Sequence, residues 1–105
     1  MQAFNDYLDT HHEQFLAELN RYLRQPSIAA QNKGMLEMAD LTRELLEARG
    51  FKVRLLPTGG QPVVYGELGE GPKTLLIYDH YDVQPPEPLA LWETPAFEPD
   101  RRAHV

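Results

Sequence analysis

The 105-residue chain carries 10 Lys and Arg against 16 Asp and Glu, a formal net charge of -6; this excludes nucleic acid and anionic membrane as main partners, since both require a basic footprint. At 42% hydrophobic and 25% charged, the composition is that of an ordinary soluble domain, long enough for one modest core. Cysteine is absent, which excludes disulfides and thiolate ligands, so any metal must be held by His, Asp or Glu.

The first segment, "MQAFNDYLDTHHEQF", places acidic residues where a signal peptide has a basic cluster and an apolar run. No stretch approaches the roughly 20 apolar residues of a membrane span. The expectation is a soluble, cytoplasmic protein. Residues 3–24 predict an amphipathic helix, with Phe4, Leu8, Phe15, Leu19 and Leu23 on one face and Asp6, Asp9, Glu13, Glu18 and Arg21 largely opposite. Pro26 ends it, because the residue before a proline is pushed out of helical geometry. "PSIAAQNKG" reads as a polar, flexible connection. A second helix is expected from Met35 to Arg49, closed by Gly50 in a left-handed cap.

The pattern then shifts to short apolar runs. "FKVRLL" alternates Phe51, Val53 and Leu55 with Lys52 and Arg54, a half-buried strand. "PTGGQP" is a turn, "VVYGEL" a second strand and "GEGPK" another turn. "TLLIY", residues 74–78, is nearly continuous in its apolarity, which predicts a third strand covered on both faces. From Pro85 the chain is cut by Pro86, Pro88, Pro95 and Pro99 and reads as an ordered loop. The fold class is therefore α/β, two helices followed by three strands of a mixed sheet, the opening of a larger domain. A strand edge left uncovered would recruit partners, so homo-oligomerisation through it is expected.

The third predicted strand runs straight into Asp79-His80-Tyr81-Asp82. His80 and Asp82 are two apart, a spacing that puts both side chains on one side of an extended chain. One imidazole nitrogen can then ligate a metal while the carboxylate takes the proton of the other, which fixes the tautomer. The position suits a site, since ligands of open α/β sheets gather beyond the carboxyl ends of strands. A histidine merely satisfied by its neighbour at a sheet edge is the competing reading of the same three residues.

The longer string "LLIYDHYDVQPPEPLALWETPAFEP" resembles the first metal-binding motif of the dinuclear zinc peptidases that include carnosinases, related dipeptidases, aminoacylases and succinyl-diaminopimelate desuccinylases. Its "HYDVQP" and "WETPAFEP" elements are most similar to the dipeptidase and carnosinase branch. The resemblance covers the chain to about Pro99 and implies the N-terminal part of a zinc-exopeptidase-like catalytic domain. It assigns His80 as a ligand of one of two zinc ions and Asp82 as the catalytic-site carboxylate that orients that histidine without binding metal. The reaction it implies is metal-assisted amide hydrolysis of a small peptide or acyl-amino acid, with a glutamate moving the proton. Asp79 departs from the pattern, where Gly or Asn is common; a solvent-facing carboxylate is expected there.

After "WETPAFEP" the family continues into a glycine-rich segment with the aspartate that bridges the metals, whereas this chain reads "DRRAHV". Residues 1–99 are accordingly expected to form part of a peptidase domain and 100–105 a divergent tail. With one ligand where a catalytic zinc takes three, the fragment is expected to be inactive alone. The alternative is a non-catalytic α/β module or a self-associating fragment. Three residues, His80, Asp82 and Asp79, remain a candidate mononuclear site.

Other features have plainer readings. His11 and His12 beside Glu13 lie on the first helix, where neighbours point about 100° apart and cannot clamp one ion; a solvated face is expected. His104 is expected at the surface near the terminus. The glycines lack the spacing of a phosphate cradle. Tyr78 and Tyr81 are expected to pack at the strand end, Trp92 to anchor the loop by burying its indole, and Ser27 has no nucleophile elbow.

Overall fold

The computed structural model describes residues 1–102; His104 lies outside them. Two compact units are present, one built from Met1–Gln25 together with the chain from Glu87 onward, the other from Pro26–Pro86.

In the first unit, helix α1 spans Gln2–Arg24. No glycine or proline interrupts it, and Arg21 and Arg24 in its last turn complement the negative end of the helix dipole. Gln25 leaves in an extended conformation, φ -79° and ψ 113°, as the following Pro26 requires. None of its residues is buried; Phe4, Tyr7, Leu8, Leu19 and Leu23 all remain exposed. The amphipathic row was legible, but nothing in the unit seals it. Tyr7, His11 and Phe15 stack along the helix at the four-residue spacing, with Tyr7 and His11 centroids 4.0 Å apart.

Within the proline-rich segment a single 3-10 turn forms at Leu89–Leu91. Trp92 keeps 51% of its surface exposed, so the predicted burial of its indole does not occur. Arg102 pairs with Asp100 at 2.6 Å and with Glu93, and Arg101 reaches Glu13 at 3.2 Å. These pairs are solvent-exposed and screened, so they add little to stability.

The second unit holds the core. Helix α2 spans Met35–Glu47 and buries Met35, Met38, Ala39 and Leu41. Its exit is a Schellman motif: Phe51 N donates to Leu46 O at 3.2 Å and Gly50 N to Glu47 O at 2.9 Å. Gly50 takes φ +87°, the left-handed cap expected of it. Strands β1, Lys52–Leu56, and β2, Val63–Glu67, form an antiparallel hairpin in which Val53 opposes Gly66 and Leu55 opposes Val64. Helix α2 packs on both strands. Gly66 leaves the room this needs, because a Cβ there would sit 3.3 Å from Phe51 and 3.6 Å from Leu46.

The segment read as a flexible connection is instead a tight loop in which Ser27 and Ile28 are buried. Ile28 and Lys33 exchange both backbone hydrogen bonds, 2.8 and 3.1 Å, around a 3-10 turn at Ala29–Gln31. Asn32 and Gly34 take positive φ to close it, and Ser27 and Ile28 are each only 1% exposed. Polar residues at 31–33 suggested solvent, yet their main chain is satisfied locally and Ile28 is free to enter the core.

The α/β class stands, but the third strand does not form. The sheet has two strands, and residues 74–78 pair with nothing among the described residues. Leu75, Leu76, Ile77 and Tyr78 are 80–89% exposed; Tyr78 does not pack. Apolarity reports what a strand would bury, while strand identity requires a neighbour to supply hydrogen bonds.

Candidate metal-ligand pair

His80 and Asp82 lie in an irregular stretch of the second unit, past the unpaired 74–78 segment. The loop is fastened just beyond the histidine on both sides. Tyr81 donates its hydroxyl to Pro62 O at 2.6 Å, tying it to the β1–β2 turn. Val83 N donates to Ser27 O at 2.9 Å, tying it to the tight loop before α2. Between these tethers Asp82 is held beside the imidazole.

His80 Nδ1 stands 3.0 Å from Asp82 Oδ1 and 2.9 Å from Asp82 O. Carboxylate and carbonyl oxygens can only accept, so the ring nitrogen facing both carries the proton and donates it. The neutral ring then has its lone pair on Nε2, which makes no hydrogen bond among the described residues. The His80 side chain is 74% exposed and that of Asp82 44%, so the free nitrogen is open to a ligand. The Asp82 carboxylate's hydrogen bond raises the imidazole pKa above 6.5, with the Asp82 carbonyl and the carboxylate charge adding to it. Expectation and structure agree on this contact, although the histidine sits on an unpaired stretch rather than on a paired strand.

Asp79 behaves differently. Its Oδ1 accepts the backbone N–H of His80 at 2.9 Å and the residue is exposed, which matches the solvent-facing reading and not the three-residue site. Among the described residues no group of three or more His, Asp or Glu is arranged to hold a metal ion. The helix histidines are placed as expected: His11 donates Nδ1–H to Tyr7 O at 2.8 Å and stacks on Tyr7, and His12 is exposed.

Sequence reasoning missed both tethers. Tyr81 alternates with charged residues and carried no signal distinguishing a structural hydroxyl from a packed ring. The Ser27 contact is made by its carbonyl oxygen, which every residue type possesses. Buried Ser27 Oγ has no hydrogen-bond partner, consistent with a position chosen for its backbone.

The chain is 32% identical over 107 aligned positions to a Cys-Gly metallodipeptidase of Schizosaccharomyces pombe, an alignment covering 88% of this chain and 22% of that protein. It is 31% identical over 80 positions to a succinyl-diaminopimelate desuccinylase of Methylococcus capsulatus, covering 76% of this chain and 20% of that protein. An M20 family metallo-carboxypeptidase from Sulfolobus solfataricus superposes with a TM-score of 0.76 at 44% identity, over 79% of this chain and 20% of that one. No protein-family model matches. The chain thus spans about a fifth of the length of the relatives it matches.

Proposed function

The chain belongs to the M20 family of metallopeptidases, the dinuclear zinc type that includes dipeptidases and desuccinylases, and from that premise we propose that His80 is a zinc ligand steadied by Asp82 in an enzyme hydrolysing the amide bond of small peptides or acyl-amino acids in the cytoplasm. The observation that carries the reading is the 3.0 Å contact that fixes the Nδ1 proton on Asp82 and leaves Nε2 free.

The donor chemistry fits the ion. Zinc takes neutral imidazole nitrogens, and a carboxylate on the far nitrogen strengthens them as donors. A bound zinc supplies Lewis-acid polarisation of the scissile carbonyl and an acidified water. The protein's own contribution in this stretch is orientation: Asp82 holds the tautomer, and the Tyr81 and Val83 tethers limit how far the ring can swing. The family resemblance implies further donors and a general-base glutamate, and it assigns none of them to a residue of this chain.

A second reading, a non-catalytic module, applies to residues 1–105 alone. It is favoured by the lack of a three-donor cluster among the described residues, because a catalytic zinc needs about three protein ligands. Zinc titration followed by histidine-ring nitrogen NMR separates the claims. His80 Nε2 is expected to shift on zinc addition, Asp82→Ala to weaken that binding roughly 10- to 100-fold, and the chain to show no hydrolysis of Cys-Gly. A His80 resonance indifferent to zinc would remove the ligand assignment; turnover abolished by His80→Ala would remove the non-catalytic reading.

A further inference from the structure

Tyr81 lies between the two members of the ligand pair, and on an extended stretch the middle residue turns to the side opposite its neighbours. The contacts follow that division. His80 and Asp82 meet each other at 3.0 Å with the imidazole exposed, while Tyr81 is half-buried and sends its hydroxyl to Pro62 O at 2.6 Å, 19 residues back in the chain. We propose that the turn between β1 and β2 is the reference point against which the ligand histidine is set, with Tyr81 as its positioning residue and Thr58, Gln61 and Asn32 as the braces of the turn. This rests on the zinc reading of His80 for its purpose, and on the hydrogen bonds alone for its geometry.

The acceptor is stiff from both directions. The pyrrolidine ring locks φ of Pro62 on one side, and on the other Val63 is held in the ladder opposite Leu56. The peptide leading into Pro62 is held as well, because Thr58 Oγ1 donates to Gln61 O at 2.8 Å and accepts Gly60 N at 2.9 Å. The Gln61 side chain then reaches the loop before α2, its Nε2 donating to Asn32 Oδ1 at 2.8 Å. Asn32 is itself fixed, at φ +48° with its N–H on Ala29 O at 3.0 Å. That same loop receives Val83 N on its Ser27 carbonyl. The 80–83 stretch, the turn and the loop therefore close into a ring of three segments, each bonded to the other two. All of it lies within the unit from Pro26 to Pro86. Tyr81 is the one side chain of the ligand stretch in this ring, so its hydroxyl decides which side of residues 80–82 turns outward.

The test reads ring position first without metal and then with zinc, in the 105-residue chain. Tyr81→Phe removes only the oxygen. Its His80 Hα–Hβ couplings are expected to move from those of one rotamer toward the rotational average, and zinc affinity at His80, followed by ring-nitrogen NMR, to fall roughly 3- to 10-fold. Thr58→Ala is expected to move both readouts the same way by a smaller amount, and Thr58→Ser to restore them by keeping the hydroxyl. Thr58 is exposed, so this arm decides the matter even where Tyr81→Phe alters the fold. Adding Thr58→Ala to Tyr81→Phe is expected to cost nothing more, since both act through one bond. Two controls separate positioning from general weakening. Tyr65→Phe removes another hydroxyl of the same hairpin, one bonded to Glu67, and Ser27→Ala removes a buried Oγ without a partner; neither is expected to alter His80. Unchanged couplings and affinity in Tyr81→Phe and Thr58→Ala, equal effects from Tyr65→Phe, or additive losses in the double variant overturn the proposal. A wild-type His80 indifferent to zinc removes the ligand reading instead, and the metal-free couplings still decide whether Tyr81 sets the ring.

Discussion

An exposed imidazole with a carboxylate on one nitrogen responds to protons and metal ions through the same contact. Asp82 raises the His80 pKa, first by its side-chain hydrogen bond, then through its carbonyl and its charge. The protonated ring gains the most from the pair. Its contribution to folding is therefore complete below the ordinary imidazole value of 6.5 and is lost as pH rises through the raised one. Asp82→Asn is expected to bring the His80 midpoint down toward 6.5 in a histidine NMR titration. The same carboxylate makes the neutral ring a better metal donor, so zinc and proton compete for Nε2 over that interval. The pair itself was legible, because spacing of two residues and complementary chemistry suffice to bring the groups together. The fasteners were not, since one is a tyrosine hydroxyl without a local motif and the other ends on a carbonyl oxygen.

Elements whose signals are local appeared where periodicity put them. The α2 exit depends on Gly50 at φ +87°, and a Cβ there meets only Leu68 at an ordinary 3.8 Å. The cost of Gly50→Ala is thus conformational, about 1 kcal/mol, and should appear as a lower urea midpoint with unchanged slope. The hairpin was equally readable: alternation in β1 and the Pro-Thr-Gly-Gly-Gln-Pro turn define both arms, and Thr58 closes the turn by accepting Gly60 N at 2.9 Å and donating to Gln61 O at 2.8 Å. Residues 74–78 escaped the same logic, for their pattern specified burial and no local rule names the neighbour. The loop at 26–34 failed in the other direction. Its polar side chains concealed a backbone closed on itself around Ile28.

For the molecule as a whole, the buried apolar set is short: Ile28, Met35, Met38, Ala39 and Leu41 among the described residues. All five belong to the unit from Pro26 to Pro86, so that unit carries the cooperative core. Met38, 3% exposed, is expected to cost about 2–3 kcal/mol when truncated to Ala, a large share of the roughly 5–15 kcal/mol typical of a domain; calorimetry should show its transition shifted to lower temperature. Composition did not disclose this imbalance, because overall hydrophobic content does not distinguish a leucine in the interior from one in water. No helix among the described residues is long and apolar enough to cross a membrane.

Both fasteners of the histidine loop terminate on peptide carbonyls, at Pro62 and Ser27. Those acceptors are main-chain atoms, so neither docking point depends on the hydrogen-bonding chemistry of the side chain at its position. Vulnerability is concentrated on the donating stretch of the loop. Losing one phenolic oxygen at residue 81, or gaining a proline at residue 83, each unhitches the loop at one point.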